Sequence, residues 1–224
     1  LGEGTRLRYV IRPPYEGLME LPVRIPAGTH TLERYRSQLL IQWRSFLVDV
    51  DVDHHAGASG VLFAHGDQGG GYALYVLAPD SPLLGPPTDT THSAGDSAGE
   101  LVFVHNGYGK LTILRCGPIP AGSTSLRLDM EAPGGWVWNA RILVGGELRA
   151  EAESLLMLAA MAPFEGIDVG IDRRSPVWWD LYEQHGPFPY DGDLRAVTYT
   201  PGERAPDSGT RFVDLLREIG MRYE

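Results

Sequence analysis

The sequence has a single cysteine, no long apolar run and little basic charge. Cys116 cannot form an internal disulfide and leaves the redox compartment open, with the cytoplasm weakly favoured. No run of about 18 apolar residues is present, so we expect no membrane-spanning helix. With 19 Lys and Arg against 29 Asp and Glu, the net charge of −10 argues against nucleic acid and anionic membrane surfaces as partners. Because the chain begins with Leu1, we expect it to be part of a longer polypeptide.

Turn-forming residues are abundant instead. The 28 Gly and 17 Pro, with 43% hydrophobic residues, are typical of a turn-rich β protein, and one sandwich can reach 224 residues. About ten short apolar segments with turn signals between them predict an all-β, two-sheet antiparallel sandwich of the jelly-roll or concanavalin A-like type. The clearest alternation places four apolar residues on one face of a strand, namely Phe46, Val48, Val50 and Val52.

The predicted organisation has three parts. Residues 1–33 contain frequent Pro and Gly, so we expect an extended lead-in packed on the sandwich, with at most an edge strand. Residues 34–200 form the sandwich. Residues 201–224 form a tail with a short amphipathic helix over 207–219, where apolar residues recur at helical spacing before Gly220.

Two segments inside the predicted sandwich need separate interpretation. Residues 79–99 are polar and rich in Pro, Gly, Ser and Thr, which predicts a mobile surface loop. Residues 150–161 are strong helix formers, but propensity is a weak guide against tertiary context, and we expect part of this segment to be extended.

Several runs of residues resemble one known family. Residues 167–172 read I-D-V-G-I-D, a Ser-Pro loop follows, and residues 186–194 read G-P-F-P-Y-D-G-D-L. Residues 60–66 read G-V-L-F-A-H-G and precede G-G-Y-A-L-Y-V at 70–76. Over roughly residues 35–200 the chain is similar to the C-terminal β-sandwich of the large bacterial arylsulfatases. The resemblance implies a non-catalytic accessory domain that packs on, and stabilises, a preceding sulfatase domain of the same polypeptide.

The resemblance also implies where the chemistry lies. It places the formylglycine and a divalent metal, calcium by expectation, in that missing catalytic domain, and it implies no cofactor in this chain. Sulfatases form formylglycine in a C-x-P-x-R motif, whereas Cys116 and Pro118 are followed by Pro120 at the arginine position. We therefore expect no catalytic residue here. The alternative is an autonomous carbohydrate-binding, lectin-like sandwich, because fold does not determine function.

An aromatic cluster is the strongest candidate for a binding or docking surface. It consists of Trp178, Trp179, Tyr182 and His185, with Asp, Glu and Gln among them. Aromatic platforms flanked by polar groups stack sugar rings, and Trp and Tyr also anchor protein interfaces. The favoured interpretation is simple packing of the loop or docking on the preceding catalytic domain, and the alternative is a glycan site.

A run of acidic residues is a weaker candidate, for metal binding. Asp49, Asp51 and Asp53 alternate along one strand, and His54 follows them. Carboxylate oxygens suit Ca²⁺, and His with Asp suits Zn²⁺. Side chains at i and i+2 are about 6.6 to 7 Å apart, which is wide for several bonds to one ion. The pattern favours the solvated outer face of a strand over a metal site.

Overall fold

The computed structural model describes residues 23–84, 99–158 and 163–208. These residues form eleven strands, two α-helices and one 3₁₀ turn. In chain order the elements are β1 Val23–Pro26, α1 Arg34–Ile41, β2 Arg44–His54, β3 Gly60–Asp67, β4 Gly70–Leu77, the 3₁₀ turn Pro82–Leu84, β5 Glu100–Gly107, β6 Lys110–Pro118, β7 Gly122–Gly134, β8 Val137–Val144, β9 Glu147–Leu156, β10 Ile167–Val169, α2 Trp179–His185 and β11 Asp193–Arg204. The predicted C-terminal helix, most of the lead-in and most of the 79–99 loop lie outside the described residues.

The strands form two antiparallel sheets, so the predicted sandwich is confirmed. The six-stranded sheet has the order β1-β11-β2-β7-β8-β9, and the five-stranded sheet has the order β10-β3-β4-β5-β6. The end of the lead-in is the edge strand β1, which pairs with β11. The six-stranded sheet thus includes residues before 34, and β11 continues to Arg204.

The main core lies between the two sheets and follows from the alternation along β2. Phe46, Val48, Val50 and Val52 are all buried, as their spacing predicts. Phe46 meets Trp138 of β8 edge-on, with ring centroids 5.6 Å apart. Such a pair adds about 0.5–1.5 kcal/mol to the free energy of burial.

The inner strands β3 and β4 of the five-stranded sheet are buried on both faces. Every residue of β3 and β4 is buried, and along β4 alternate residues contribute to different cores. Tyr72 and Leu74 belong to the main core, whereas Ala73 and Tyr75 belong to a second one. The second core is covered by three residues that follow β10, namely Val177, Trp178 and Leu181.

Residues 188–190, which follow α2, lie against β3 at Gly60. Gly60 has φ +129°, and a Cβ there would collide with the backbone of Tyr190. The Val61 N–H donates to the Phe188 carbonyl at 3.0 Å, and the Tyr190 N–H donates to the Gly170 carbonyl at 2.9 Å. The G-P-F-P-Y run therefore returns across the sheet.

The segment of strong helix formers is extended up to residue 156, as expected. It forms β9, which pairs with β8 along a register that matches Leu155 with Trp138. Leu155 is buried in the main core. Sheet pairing and burial thus override the local helix propensity.

Candidate functional site

The helix α2 displays the aromatic cluster on the outer side of the second core. Trp178 precedes the helix with extended backbone, at φ −122° and ψ 104°. Gly186 ends the helix with φ +67°, and its N–H donates to the Tyr182 carbonyl at 2.8 Å. Trp179 and Tyr182 are three residues apart and so lie on the same side of this short helix.

The two tryptophans have different environments. Trp178 is 2% exposed and packs edge-on against Tyr75, with ring centroids 6.1 Å apart. Trp179 is 46% exposed. Of the pair that the sequence singles out, only Trp179 is at the surface, because α2 packs on the second core through Leu181 and turns Trp179 away from it.

The exposed rings are held in place by their neighbours. The Trp179 Nε1–H donates to Glu183 Oε1 at 2.8 Å, and the ring of Tyr182 lies 5.6 Å away at an interplanar angle of 30°. His185 is exposed and stacks on Phe188 at 4.4 Å. We call Trp179, Tyr182, Glu183, His185 and Phe188 the aromatic patch.

A shallow depression adjoins the aromatic patch and shares two of its residues. It is lined by Val61, Tyr75, Asp172, Pro176, Trp178, Leu181, Tyr182, Gly186, Pro187 and Phe188. The Asp172 side chain is its one carboxylate and is 4% exposed. Asp172 Oδ2 accepts hydrogen bonds from the Val177 N–H at 2.9 Å and from the Tyr75 hydroxyl at 3.3 Å.

Burial controls the ionisation of this carboxylate. It raises the pKa of Asp172 to about 7, although the Val177 N–H acts in the opposite direction. The negative charges of Asp168 and Asp67 raise this pKa further. The depression thus contains an acceptor that changes charge near neutral pH.

Sequence reasoning did not identify Asp172, Tyr75 or Phe188. Tyr75 reads as an ordinary strand residue, and Asp172 reads as one of several acidic residues near turns. Only the fold brings Tyr75 and Asp172 together, across 97 residues of chain. Phe188 has φ +48°, whereas the proline that follows it favours an extended backbone, so the local pattern does not predict where its ring lies.

The acidic residues of β2 lie on the outer face of the six-stranded sheet and pair with polar side chains of neighbouring strands. Their contacts are Asp49 with Arg127 at 2.7 Å, Asp51 with Arg195 at 2.9 Å, and Asp53 with Ser123 at 3.0 Å. His54 points to the opposite side, where it is buried and its Nδ1 contacts the Tyr190 hydroxyl at 2.8 Å. Within the described ranges, no group of three or more His, Cys, Asp or Glu side chains could hold a metal ion.

The cysteine is buried in the main core. Burial raises the pKa of the Cys116 thiol to about 12, which disfavours the nucleophilic thiolate. No helix in the part of the chain that the structure describes is long and apolar enough to span a membrane.

Comparison with known proteins finds similarity in structure but not in sequence. No family model matches the chain, and no curated protein matches it. The carbohydrate-binding module CBM40 of the Ruminococcus gnavus IT-sialidase is 13% identical, with a TM-score of 0.51 over 84% of this chain and 92% of that one. The same module bound to α2,3-sialyllactose is 12% identical, with a TM-score of 0.50 over 84% and 91%.

A second similar structure belongs to a larger enzyme. The leech intramolecular trans-sialidase is 10% identical, with a TM-score of 0.50 over 84% of this chain but only 26% of that one. At these identities the likeness shows the fold alone.

The assignment to the arylsulfatase C-terminal domains is therefore wrong, and the descriptions sulfatase and hydrolase are wrong with it. The similar structures are a carbohydrate-binding module and part of a trans-sialidase rather than sulfatase domains. Three of the runs that carry the resemblance are packing elements of the sandwich. Residues 60–66 lie in β3 and residues 70–76 in β4, all of them buried, and I-D-V is β10, which pairs with β3. A catalytic sulfatase domain is thus unsupported as partner.

Proposed function

We propose that this chain is a carbohydrate-binding, lectin-like module that binds a sugar on the aromatic patch. The observation that carries the proposal is the exposed Trp179 ring, fixed by Glu183 and Tyr182 on a helix that packs on a rigid sheet. An aromatic side chain that is already ordered loses little conformational entropy when a ligand binds.

The chemistry of the patch suits a sugar. The C–H face of a pyranose ring is apolar and can stack on the Trp179 indole, while its hydroxyls need polar partners. Glu183 can accept hydrogen bonds from hydroxyls, and the exposed His185 can donate or accept them.

The choice of first ligand rests on the similar structures. The R. gnavus module is described as bound to sialyllactose, so sialylated lactose is the first ligand to test. The net charge of −10 disfavours an anionic ligand at long range, so neutral lactose belongs in the same panel.

The test is a titration of the protein with lactose, 3′-sialyllactose, 6′-sialyllactose and chito-oligosaccharides, followed by tryptophan fluorescence and calorimetry. We expect at least one sugar to bind and Trp179→Ala to weaken it about tenfold or more, as for an aromatic hot spot. Leu148→Ala is the matched control, since Leu148 is 52% exposed on β9 in the other sheet. The proposal is wrong if no sugar binds, or if Trp179→Ala binds as well as the control.

A further inference from the structure

The depression beside the aromatic patch is lined by a carboxylate with one oxygen that accepts no hydrogen bond. Both hydrogen bonds that Asp172 accepts go to Oδ2, which leaves Oδ1 without one in the described part of the chain. Oδ1 is not among the unpaired polar atoms that are sealed from solvent, so a ligand in the depression can reach it. The Trp178 Nε1–H also lacks a partner among the described residues, but it is sealed from solvent and is not available to a ligand.

The chemistry of this oxygen selects a donor. An ionised carboxylate can only accept hydrogen bonds, so the ligand group that fits Oδ1 must donate one. A sugar hydroxyl is a small donor of this kind, and a hydrogen bond to a charged acceptor is stronger than one between neutral groups.

We propose that the depression is a subsite for one hydroxyl group of the bound sugar, which donates to Asp172 Oδ1. The inference rests on the proposed function, because the depression shares Tyr182 and Phe188 with the aromatic patch. The apolar side chains of Pro176 and Phe188 would surround the C–H groups next to that hydroxyl. Asp172 is then a specificity-determining residue that selects among sugars by the position of one hydroxyl.

The experiment measures the binding of methyl glycosides of galactose, glucose, N-acetylglucosamine and N-acetylneuraminic acid, together with their monodeoxy derivatives. The measurements are made at pH 8, where Asp172 is ionised because its pKa is about 7. The variants are Trp179→Ala, Asp172→Asn and Asp168→Asn. Asp168 is the matched control, since it is a buried carboxylate near Asp172 that accepts from the Arg173 N–H but does not line the depression. Near-UV circular dichroism confirms that each variant keeps its tertiary packing.

We expect Asp172→Asn to weaken every sugar that depends on Trp179 by about tenfold, as for a hydrogen bond to a charged group. One monodeoxy derivative should bind the wild type about tenfold more weakly than its parent. That derivative should lose nothing further in Asp172→Asn, since the two changes remove the same hydrogen bond. Asp168→Asn should bind as the wild type does.

Two results separate this inference from the proposed function. If binding depends on Trp179 but is the same in Asp172→Asn and Asp168→Asn, the sugar lies on the aromatic patch, the depression holds only water, and this inference is wrong. If no methyl glycoside depends on Trp179, the proposed function fails and the subsite fails with it.

Discussion

At the scale of single residues, two adjacent tryptophans lie in different environments. Trp178 completes the second core against Tyr75, whereas Trp179 lies on the surface with its indole bonded to Glu183. The backbone turns into α2 between them, so their side chains leave the chain in different directions. We therefore expect stability to depend on Trp178, whereas the proposed function uses the exposed ring of Trp179.

This division predicts different costs of truncation. Trp178→Ala should lower the free energy of unfolding by about 3–5 kcal/mol, since it leaves a cavity in the second core. Trp179→Ala should lower it by less than about 0.5 kcal/mol, as for most surface substitutions. Urea denaturation followed by circular dichroism measures both, and each variant is the control for the other. Equal losses would show that the exposed ring belongs to the packing.

At the scale of elements, the two faces of β2 carry different kinds of side chain, apolar on one and charged on the other. The inner face supplies the main core, and the outer face carries Asp49, Asp51 and Asp53 beside arginines of β7 and β11. Exposed ion pairs of this kind contribute about 0–1 kcal/mol each, because water screens them. The arginines also place positive charge where a cation would bind.

We therefore expect calcium to have no effect on stability. Millimolar calcium should change the Tm by less than about 1 °C relative to EDTA, whereas a site at 100 times its Kd would add about 2.7 kcal/mol. Differential scanning calorimetry on the wild type gives the result. Asp51→Asn is the control, and a calcium-dependent rise in Tm that this variant abolishes would identify a metal site on the outer face of β2.

At the scale of the whole molecule, the ionisation of three buried side chains makes the free energy of unfolding depend on pH. Burial lowers the pKa of His65 to about 3 and that of His105 to about 4, so both stay neutral in the fold while they charge near pH 6.5 in the unfolded chain. Their contribution to stability is lost as the pH falls below 6.5. Asp172 acts in the opposite sense, because its raised pKa of about 7 makes the folded state bind a proton that the unfolded chain has released.

Replacing one of these three side chains should change how the free energy of unfolding depends on pH near pH 5. Removing one group changes the slope of the unfolding free energy by about 1.4 kcal/mol per pH unit. Asp172→Asn should make stability fall more steeply with acid by that amount, and His105→Gln should make it fall less steeply. Urea denaturation from pH 4.5 to 6.5 measures the slopes. A profile of Asp172→Asn parallel to that of the wild type would show that Asp172 is ionised throughout this range in the folded protein.

The sequence by itself determined the architecture and much of the core. Period-two alternation is a local property of an extended chain, so residues 46 to 52 reveal which face of β2 is buried without knowledge of its partners. Turn signals are also a local property, so turn residues at regular spacing predicted the antiparallel sandwich. The hairpin runs were read correctly as strands but assigned to the wrong family, because any closely packed sandwich hairpin needs small and apolar residues in such places.

Only the tertiary structure decided the candidate site. A seven-residue helix such as α2 is too short to show a periodicity, so the split between Trp178 and Trp179 depends on how the segment docks on the five-stranded sheet. The depression requires Tyr75 of β4 and Asp172, which are 97 residues apart, to meet on the outer face of that sheet. Such contacts arise from packing between distant segments, and no local pattern encodes them.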